Sequence, residues 1–298
     1  MSARTVDSGA YSIKVATDEG AVESDSVPLT VMGSHLVNLS IRSTAGTGAQ
    51  SLIVGFTVAG TGMPVLVRGI GPTLAQYGVT SPLSAAQLTV YSGDTAITRN
   101  TSWGNSPDIA AADTRLGAFA LPNNSLDAAV LTTFDAGIYT AICAGTNDAT
   151  GTALVELYDA STLANCQLMD ISARSYVGTG DDLMIAGFAI AGSSPCIVMI
   201  RGIGPTLGQY GVAGVLQNPQ LQLLDNNGVV QAQNSCWGSA ANASAIASTA
   251  QATGAFPLPV GSKDAVLLVT LLPGTYSVQL RGADGGTGAG LIEVYQVP

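Results

Sequence analysis

An internal repeat constrains this chain more than any other feature of its sequence. Residues 68–79 read RGIGPTLAQYGV, and the same sequence recurs at residues 201–212 with glycine in place of Ala75. Shorter matches keep the same order around it, and the offset between the two copies grows only from 132 to 137 residues. The matched pairs include Gly55 with Gly187, Trp103 with Trp237, Gly117 with Gly254, Asp127 with Asp264, and Glu156 with Glu293. The chain therefore contains one module of about 130 residues, present twice.

Each copy of the repeat has the sequence pattern of short β-strands. Aliphatic and β-branched runs alternate with clusters of Gly, Asn, Asp and Pro, which mark turns. In the first copy these runs cover residues 37–42, 51–58, 65–68, 87–91, 128–133, 138–144 and 153–158. Two helical segments interrupt them, one between Gly71 and Gly78 and one after Ser106. We expect an all-β protein with two tandem, jelly-roll-like β-sandwich modules, at residues 34–164 and 165–298, with short helical inserts.

Residues 1–33 have a different pattern from the repeat. The DSGAY sequence at residues 7–11 and the apolar run at residues 27–31 resemble the last two strands of an immunoglobulin-like domain. In that family the tyrosine, here Tyr11, bonds back to the chain in a tyrosine corner. The strands that precede this hairpin in the family are missing, so we expect the chain to start inside a longer natural protein. Such a hairpin could also pair with a neighbouring chain by strand addition.

The whole chain resembles the C-terminal part of large secreted bacterial proteins that carry immunoglobulin-like domains before tandem repeats. The repeats of that family contain the signature IRGxGPxL, found here at residues 200–207, and GxYxxxxxG…ALxExY, to which residues 274–295 correspond. The resemblance implies an extracellular or cell-surface location for the full-length protein and carries no reaction with it. The second half of each module also resembles bacterial pre-peptidase C-terminal domains, which are small β-sandwiches associated with calcium.

The charge balance bears on the partners that the chain can bind. Ten Lys and Arg against twenty Asp and Glu give a net charge of −10. Nucleic-acid binding needs clustered cations, so we expect no nucleic-acid partner. The longest uncharged apolar stretch, residues 183–200, is divided by the turn sequence GSSP, and we expect no membrane span. Residues 1–4 lead directly into polar sequence, so we expect no signal peptide in residues 1–33.

Cysteine and histidine usage excludes several kinds of site. Four cysteines without CxxC spacing argue against a zinc cluster, and leave disulfides and buried thiols equally open. His35 is the only histidine and lies between the immunoglobulin-like remnant and the first module. We therefore expect no Ser-His-Asp or Cys-His arrangement within the repeats, because the nucleophile needs an imidazole as its base.

Two glutamates have a repeated place in the last strand of each module. Glu156 and Glu293 are candidate catalytic carboxylates, since glycoside hydrolysis needs only two acids at a suitable separation. A buried carboxylate needs a partner, however, and Arg68 and Arg201 end a strand in the repeated motif. We therefore expect one structural Arg–Glu ion pair in each module. In such a pair the arginine should lower the pKa of the glutamate, which is unsuitable for a general acid.

A weaker pattern in the acidic loops points to a bound cation. Asp148, Asp181, Asp182 and Asp284 lie in Gly- or Asn-rich loops and are candidate ligands of Ca²⁺, the one cofactor considered. Acidic residues in turns are also common simply as turn formers.

The tryptophans offer a second ligand hypothesis. Trp103 and Trp237 occupy matching positions in the two copies. Exposed, they could stack on sugar rings. Buried, they would close the end of the sandwich with the indole N–H bonded to a loop carbonyl.

Two functions remain open at this point. The residues kept in both copies are mainly Gly, Pro, Tyr, Trp and apolar, which favours a non-catalytic extracellular segment for adhesion, spacing or glycan binding, with polysaccharide or cell-surface partners. The alternative is a calcium-dependent hydrolase that acts on an ester, lactone or glycoside through carboxylates and metal-bound water.

Overall fold

The computed structural model shows a chain built mainly of β-strands, which make up 52% of it, against 15% helix. The described residues are 7, 9–29, 33–46, 51–161 and 166–297, with the backbone alone for Asp181. This composition and the large multi-stranded sheets confirm the all-β sandwich fold class expected from the sequence. No helix in the described ranges combines the length and the apolar character that crossing a membrane requires.

The N-terminal segment consists of four short strands: β1 (Gly9–Tyr11), β2 (Lys14–Thr17), β3 (Gly20–Glu23) and β4 (Val27–Leu29). Antiparallel pairs join β1 to β4 and β2 to β3. The side chains of all four strands are exposed. The hydroxyl of Tyr11 donates a 2.6 Å hydrogen bond to the carbonyl of Asp7, which is the bond of a tyrosine corner.

The two copies of the repeat fold into the same succession of elements. The first copy contains β5 (His35–Ala45), β6 (Leu52–Ala59), β7 (Met63–Ile70), β8 (Ala86–Ser92), β9 (Thr95–Asn100), α1 (Pro107–Leu116), β10 (Ala128–Phe134), β11 (Gly137–Gly145) and β12 (Gly151–Asp159). The second contains β13 (Gln167–Val177), β14 (Met184–Ala191), β15 (Cys196–Ile203), β16 (Pro219–Asp225), β17 (Val230–Asn234), α2 (Ala243–Ala252), β18 (Ala265–Leu271), β19 (Gly274–Gly282) and β20 (Gly288–Gln296).

Short 3₁₀ helices complete the repeated motif. They span Pro72–Tyr77 after β7 and Pro205–Tyr210 after β15. Proline starts each one and a left-handed glycine ends it, at Gly78 (φ 80°) and Gly211 (φ 78°), as the sequence pattern predicts.

The strands form two antiparallel rows that each run through both copies. The first row has the order β10-β7-β12-β5-β14-β19-β16-β17. The second has the order β18-β15-β20-β13-β6-β11-β8-β9. Each module thus contributes four strands to each row. The modules meet where β5 pairs with β14 and where β6 pairs with β13.

The junction between the modules is reciprocal at the level of single residues. The hydroxyl of Ser43 donates to the carbonyl of Tyr176, at 3.2 Å, and the hydroxyl of Ser175 donates to the carbonyl of Thr44, at 2.9 Å. These serines occupy the same position in β5 and β13. The two copies are therefore related by an approximate twofold arrangement, as in the isologous interface of a homodimer.

Apolar side chains from both modules fill one continuous core between the rows, which extends from Leu36 to Val294. Two smaller cores lie on the outer faces of the sheets, one beneath α1 around Trp103 and one beneath α2 around Trp237. The outer cores explain why β7 and β15 are buried on both faces near the repeated arginines.

The glycine-rich motif is fixed by close packing and by a buried aspartate. A Cβ on Gly71 would lie 2.4 Å from the carbonyl oxygen of Leu83, so only glycine fits there. Oδ1 of Asp127 accepts a 2.8 Å hydrogen bond from the amide of Gly71, and the Thr73 hydroxyl donates to Oδ2. Asp264 makes the same contacts in the second copy. The motif is thus a structural corner.

Candidate functional site

The repeated arginines lie beneath the two α-helices, on the outer face of the first copy's β7 and of the second copy's β15. Arg68 is paired in register with Glu156 on β12, and its Nε lies 3.2 Å from Oε2 of that glutamate. Arg201 has the same relation to Glu293 on β20, also at 3.2 Å. The structure therefore brings together each arginine and glutamate that the sequence singled out.

Tyrosines two residues further along complete both clusters. The hydroxyl of Tyr158 donates a 2.9 Å hydrogen bond to Oε1 of Glu156, and Tyr295 makes the same bond to Glu293 at 3.0 Å. Both glutamates are 5% exposed. In each carboxylate one oxygen accepts from the tyrosine and the other lies at ion-pair distance from the arginine of the same module, which fits a structural role.

The pKa of these glutamates is not lowered overall, so the expected net direction is wrong although the arginine itself acts as expected. Burial raises the pKa of Glu156 and of Glu293, and this effect outweighs the neighbouring arginine and the tyrosine hydrogen bond, which both act in the opposite direction. The reason is that the carboxylates lie beneath a helix, where water no longer solvates the charged form.

The two arginine clusters differ in one carboxylate that the sequence comparison missed. In the first copy, Nη1 of Arg68 donates a 2.9 Å hydrogen bond to Oδ1 of Asp113 on α1. The position in α2 that matches Asp113 is Ala250. In the second copy Arg201 instead donates from Nη2 to the carbonyl of Phe256, at 2.9 Å. Each arginine keeps one terminal nitrogen without a hydrogen-bond partner among the described residues, Nη2 in Arg68 and Nη1 in Arg201, and the atom that Asp113 binds in the first copy is the unpartnered one in the second.

An aromatic ring covers each guanidinium group. The Cζ atom of Arg68 lies 4.5 Å from the ring centre of Phe119, and that of Arg201 lies 4.2 Å from the ring centre of Phe256. These are cation–π distances. Both phenylalanines belong to the repeated GAF sequence that follows the α-helix. The repeat therefore preserves both the arginine and the aromatic ring that packs on it.

A cavity of about 520 Å³ borders the second cluster. Its wall includes Arg201, Phe256 and Trp237, together with the small side chains of Ala247 and Ala250 on α2. Most of the remaining wall is aliphatic. A cavity of this size, largely apolar with one cationic group, has the character of a small-molecule site.

The tryptophans are buried, with 6% of Trp103 and 8% of Trp237 exposed. The indole N–H of Trp103 donates to the carbonyl of Pro122 at 3.0 Å, and that of Trp237 donates to the hydroxyl of Ser262 at 3.2 Å. Neither indole presents an open face at the protein surface, although Trp237 forms part of the cavity wall. This geometry gives no support to stacking of a glycan on the two indoles at the surface.

The acidic loops do not converge on one point. No group of three or more His, Cys, Asp or Glu side chains that could hold a metal ion occurs in the described part of the chain. Asp284 accepts from the amide of Gly286 in its own loop and from the side chain of Asn218 in another loop. Asp148 is a turn residue with φ 57°, Asp182 is exposed, and the side chain of Asp181 lies outside the description.

Histidine and cysteine take no part in the arginine clusters. His35 is the first residue of β5, half-buried, with Nδ1 3.1 Å from the carbonyl of Gly33, so it belongs to the first module and not to a solvated linker. The four cysteines, all within the described residues, are not joined by disulfides. Of the two possibilities left open by the sequence, the structure has thiols.

Comparison with known proteins adds little to this geometry. No protein-family model matches the chain, and no curated protein matches it either. Among solved structures, procruciferin, an 11S globulin from Brassica napus, is similar at a TM-score of 0.17 and 7% sequence identity, over 96% of this chain and 85% of that chain. A likeness this weak carries no argument about fold or function.

Proposed function

We propose that this chain is a non-catalytic extracellular segment in which two β-sandwich modules form one rigid spacer for adhesion. The observation that carries the proposal is the pairing of strands across the module boundary, β5 with β14 and β6 with β13. Backbone ladders and one shared core resist bending in a way that a flexible linker between domains does not.

The chemistry of the retained residues supports the same proposal. Glu156 and Glu293 are held by an arginine and a tyrosine of their own module, and Asp127 and Asp264 are held by backbone amides and hydroxyls. A catalytic carboxylate must instead reach substrate. The side chains that the repeat preserves therefore stabilise the modules.

The extracellular location in this proposal comes from the resemblance to repeats of secreted bacterial proteins. In that setting the N-terminal strands connect the spacer to preceding immunoglobulin-like domains, and the outward surfaces meet polysaccharide or cell-surface components.

Single-molecule pulling tests the spacer role most directly. With handles at the two ends of residues 34–297, we expect one unfolding event that releases about 900 Å of chain, at about 3.4 Å per residue. Two events of about half that length would show modules that yield separately and would contradict a single rigid body.

A substrate panel tests the non-catalytic part of the proposal. Purified protein is incubated with chromogenic esters, lactones and glycosides, with added Ca²⁺ and with chelator. The Glu156→Gln, Glu293→Gln double variant serves as the matched control. We expect no turnover above that of the control. Turnover that needs Ca²⁺ and is lost in the control would establish the hydrolase alternative.

A further inference from the structure

The second module lacks a carboxylate that the first module has. Asp113 extends from α1 to Nη1 of Arg68, and both side chains are almost fully buried. Ala250 takes the place of Asp113 on α2, and Nη1 of Arg201 is left without a partner in the described residues although Arg201 is only 1% exposed. A buried donor on a charged group is costly to leave unpaired, so an external acceptor at this atom would be stabilising.

The space beside this arginine suits a ligand of limited size. The cavity of about 520 Å³ lies within the range of small-molecule sites, and Arg201 forms part of its wall. Apolar side chains from β15, β18 and α2 form most of the rest, including Met199, Val266 and Ile246. The exposed residues Ala247, Gln251 and Pro257 mark where the cavity reaches the surface.

The helix above the cavity, α2, lacks a stabilising N-terminal cap that α1 has. The hydroxyl of Ser106 caps α1 by accepting from the amide of Ile109, whereas α2 has no side-chain cap at its N-terminus. Because Arg201 is nearly enclosed, a ligand must shift this wall slightly to contact Nη1. A helix without a cap yields more readily to such a shift.

We propose that this cavity binds a small apolar molecule that carries one carboxylate, with the carboxylate on Nη1 of Arg201 in the place that Asp113 takes on Arg68. The hydrocarbon part then lies against the indole of Trp237 and the aliphatic wall. A single negative charge is specified because Glu293 already neutralises Arg201, and the first module shows that one arginine accommodates two carboxylates, Glu156 and Asp113. A dianionic phosphate would add a further uncompensated charge.

Titration calorimetry of the full chain with octanoate tests this site. We expect one octanoate per chain, with octan-1-ol and octyl phosphate bound at least tenfold more weakly because each lacks the single carboxylate. The matched variant is Ala250→Asp, which supplies the carboxylate internally as the first module does and should weaken octanoate binding at least tenfold. This variant adds a charge pair already present beneath α1, so it is expected to fold.

Several results would overturn the proposal. Octanoate bound equally well by the Ala250→Asp variant would place the ligand elsewhere, and octan-1-ol bound as tightly as octanoate would exclude Arg201 from recognition. Tighter binding of octyl phosphate, or of a peptide ending in leucine, would assign the cavity to a different ligand class.

Discussion

Gly187 on β14 lies against Ser40 on β5 so closely that a Cβ on the glycine would be 2.6 Å from the serine Oγ. The same relation holds between Gly55 on β6 and Ser172 on β13, also at 2.6 Å. The repeated Gly-Phe pair in the sequence thus marks the strand that pairs with the other module. Glycine is needed there because the serine of the opposite module occupies the space of a side chain.

The first prediction concerns this contact. Replacing Gly187 with alanine should lower the free energy of unfolding by about 1–3 kcal/mol, since the new methyl group overpacks the junction. Adding Ser40→Ala to Gly187→Ala should restore part of the loss, because the contacting oxygen is removed. Urea titration of the two single variants and the double variant gives the coupling energy. If the loss of unfolding free energy in the double variant equals the sum of the losses in the two single variants, the two residues do not interact.

The second prediction concerns pH. Burial raises the pKa of Asp113, Glu156, Asp170 and Glu293 above their ordinary values of 3.8 to 4.5. The folded chain then holds more protons than the unfolded chain, so stability falls as the pH rises from about 4.5 through the raised values. We expect the urea midpoint to be higher at pH 5 than at pH 7.

The control for this pH effect removes two of the titrating groups. In the Glu156→Gln, Glu293→Gln variant the dependence of the urea midpoint on pH should be flatter than in the parent protein. The opposite behaviour, a parent protein that becomes more stable as the pH rises from 5 to 7, would mean that the arginines dominate over burial.

The third prediction concerns thiol reactivity. Burial, assisted by the charge of Asp127, raises the pKa of Cys143 to about 12, and the side chain is fully buried. Cys236 is partly exposed. Iodoacetamide should therefore modify Cys236 in the native protein at neutral pH and leave Cys143 unmodified, since the thiolate is the reactive form. Peptide mapping identifies the site, and Cys236→Ser should abolish the fast phase. Equal labelling of Cys143 would show that the core opens readily.

The fourth prediction concerns the aspartate that holds the glycine-rich corner. Asp264 is fully buried and accepts from Gly204, Thr206 and Ser262. Asp264→Ala leaves these donors unpaired and should cost about 3 kcal/mol or more of stability. Asp284→Ala is the control, because Asp284 is exposed and should change stability by less than about 0.5 kcal/mol. Similar urea midpoints for the two variants would remove the structural role of Asp264.

The repeat made much of the fold accessible from sequence alone. β6 was predictable because it is a run of aliphatic and β-branched residues next to glycine-containing turns. β9 was missed because its side chains are mostly exposed, so no apolar run marks it. The pairing of β5 with β14 was also missed, since nothing local in either strand identifies a partner about 150 residues away.

The arginine clusters could be predicted only in the part that both copies share. Arg68 and Glu156 have matching residues in the second module, and this duplication pointed to the pair. Asp113 has no acidic counterpart, so comparing the copies drew attention away from it. Ala250 forms only part of the wall of the cavity in the second module, and an alanine in a helix gives no sign of a cavity beside it.

The central claim is that both modules form one cooperative body, and the two tryptophans test it most directly. Trp103 lies in the outer core of the first module and Trp237 in that of the second, so Trp237→Phe and Trp103→Phe each leave one fluorescent reporter. In urea titrations of each variant, we expect the fluorescence midpoint to coincide with the midpoint of far-UV circular dichroism for the whole chain. Two separated transitions, with one module unfolding while the other stays folded, would contradict the claim.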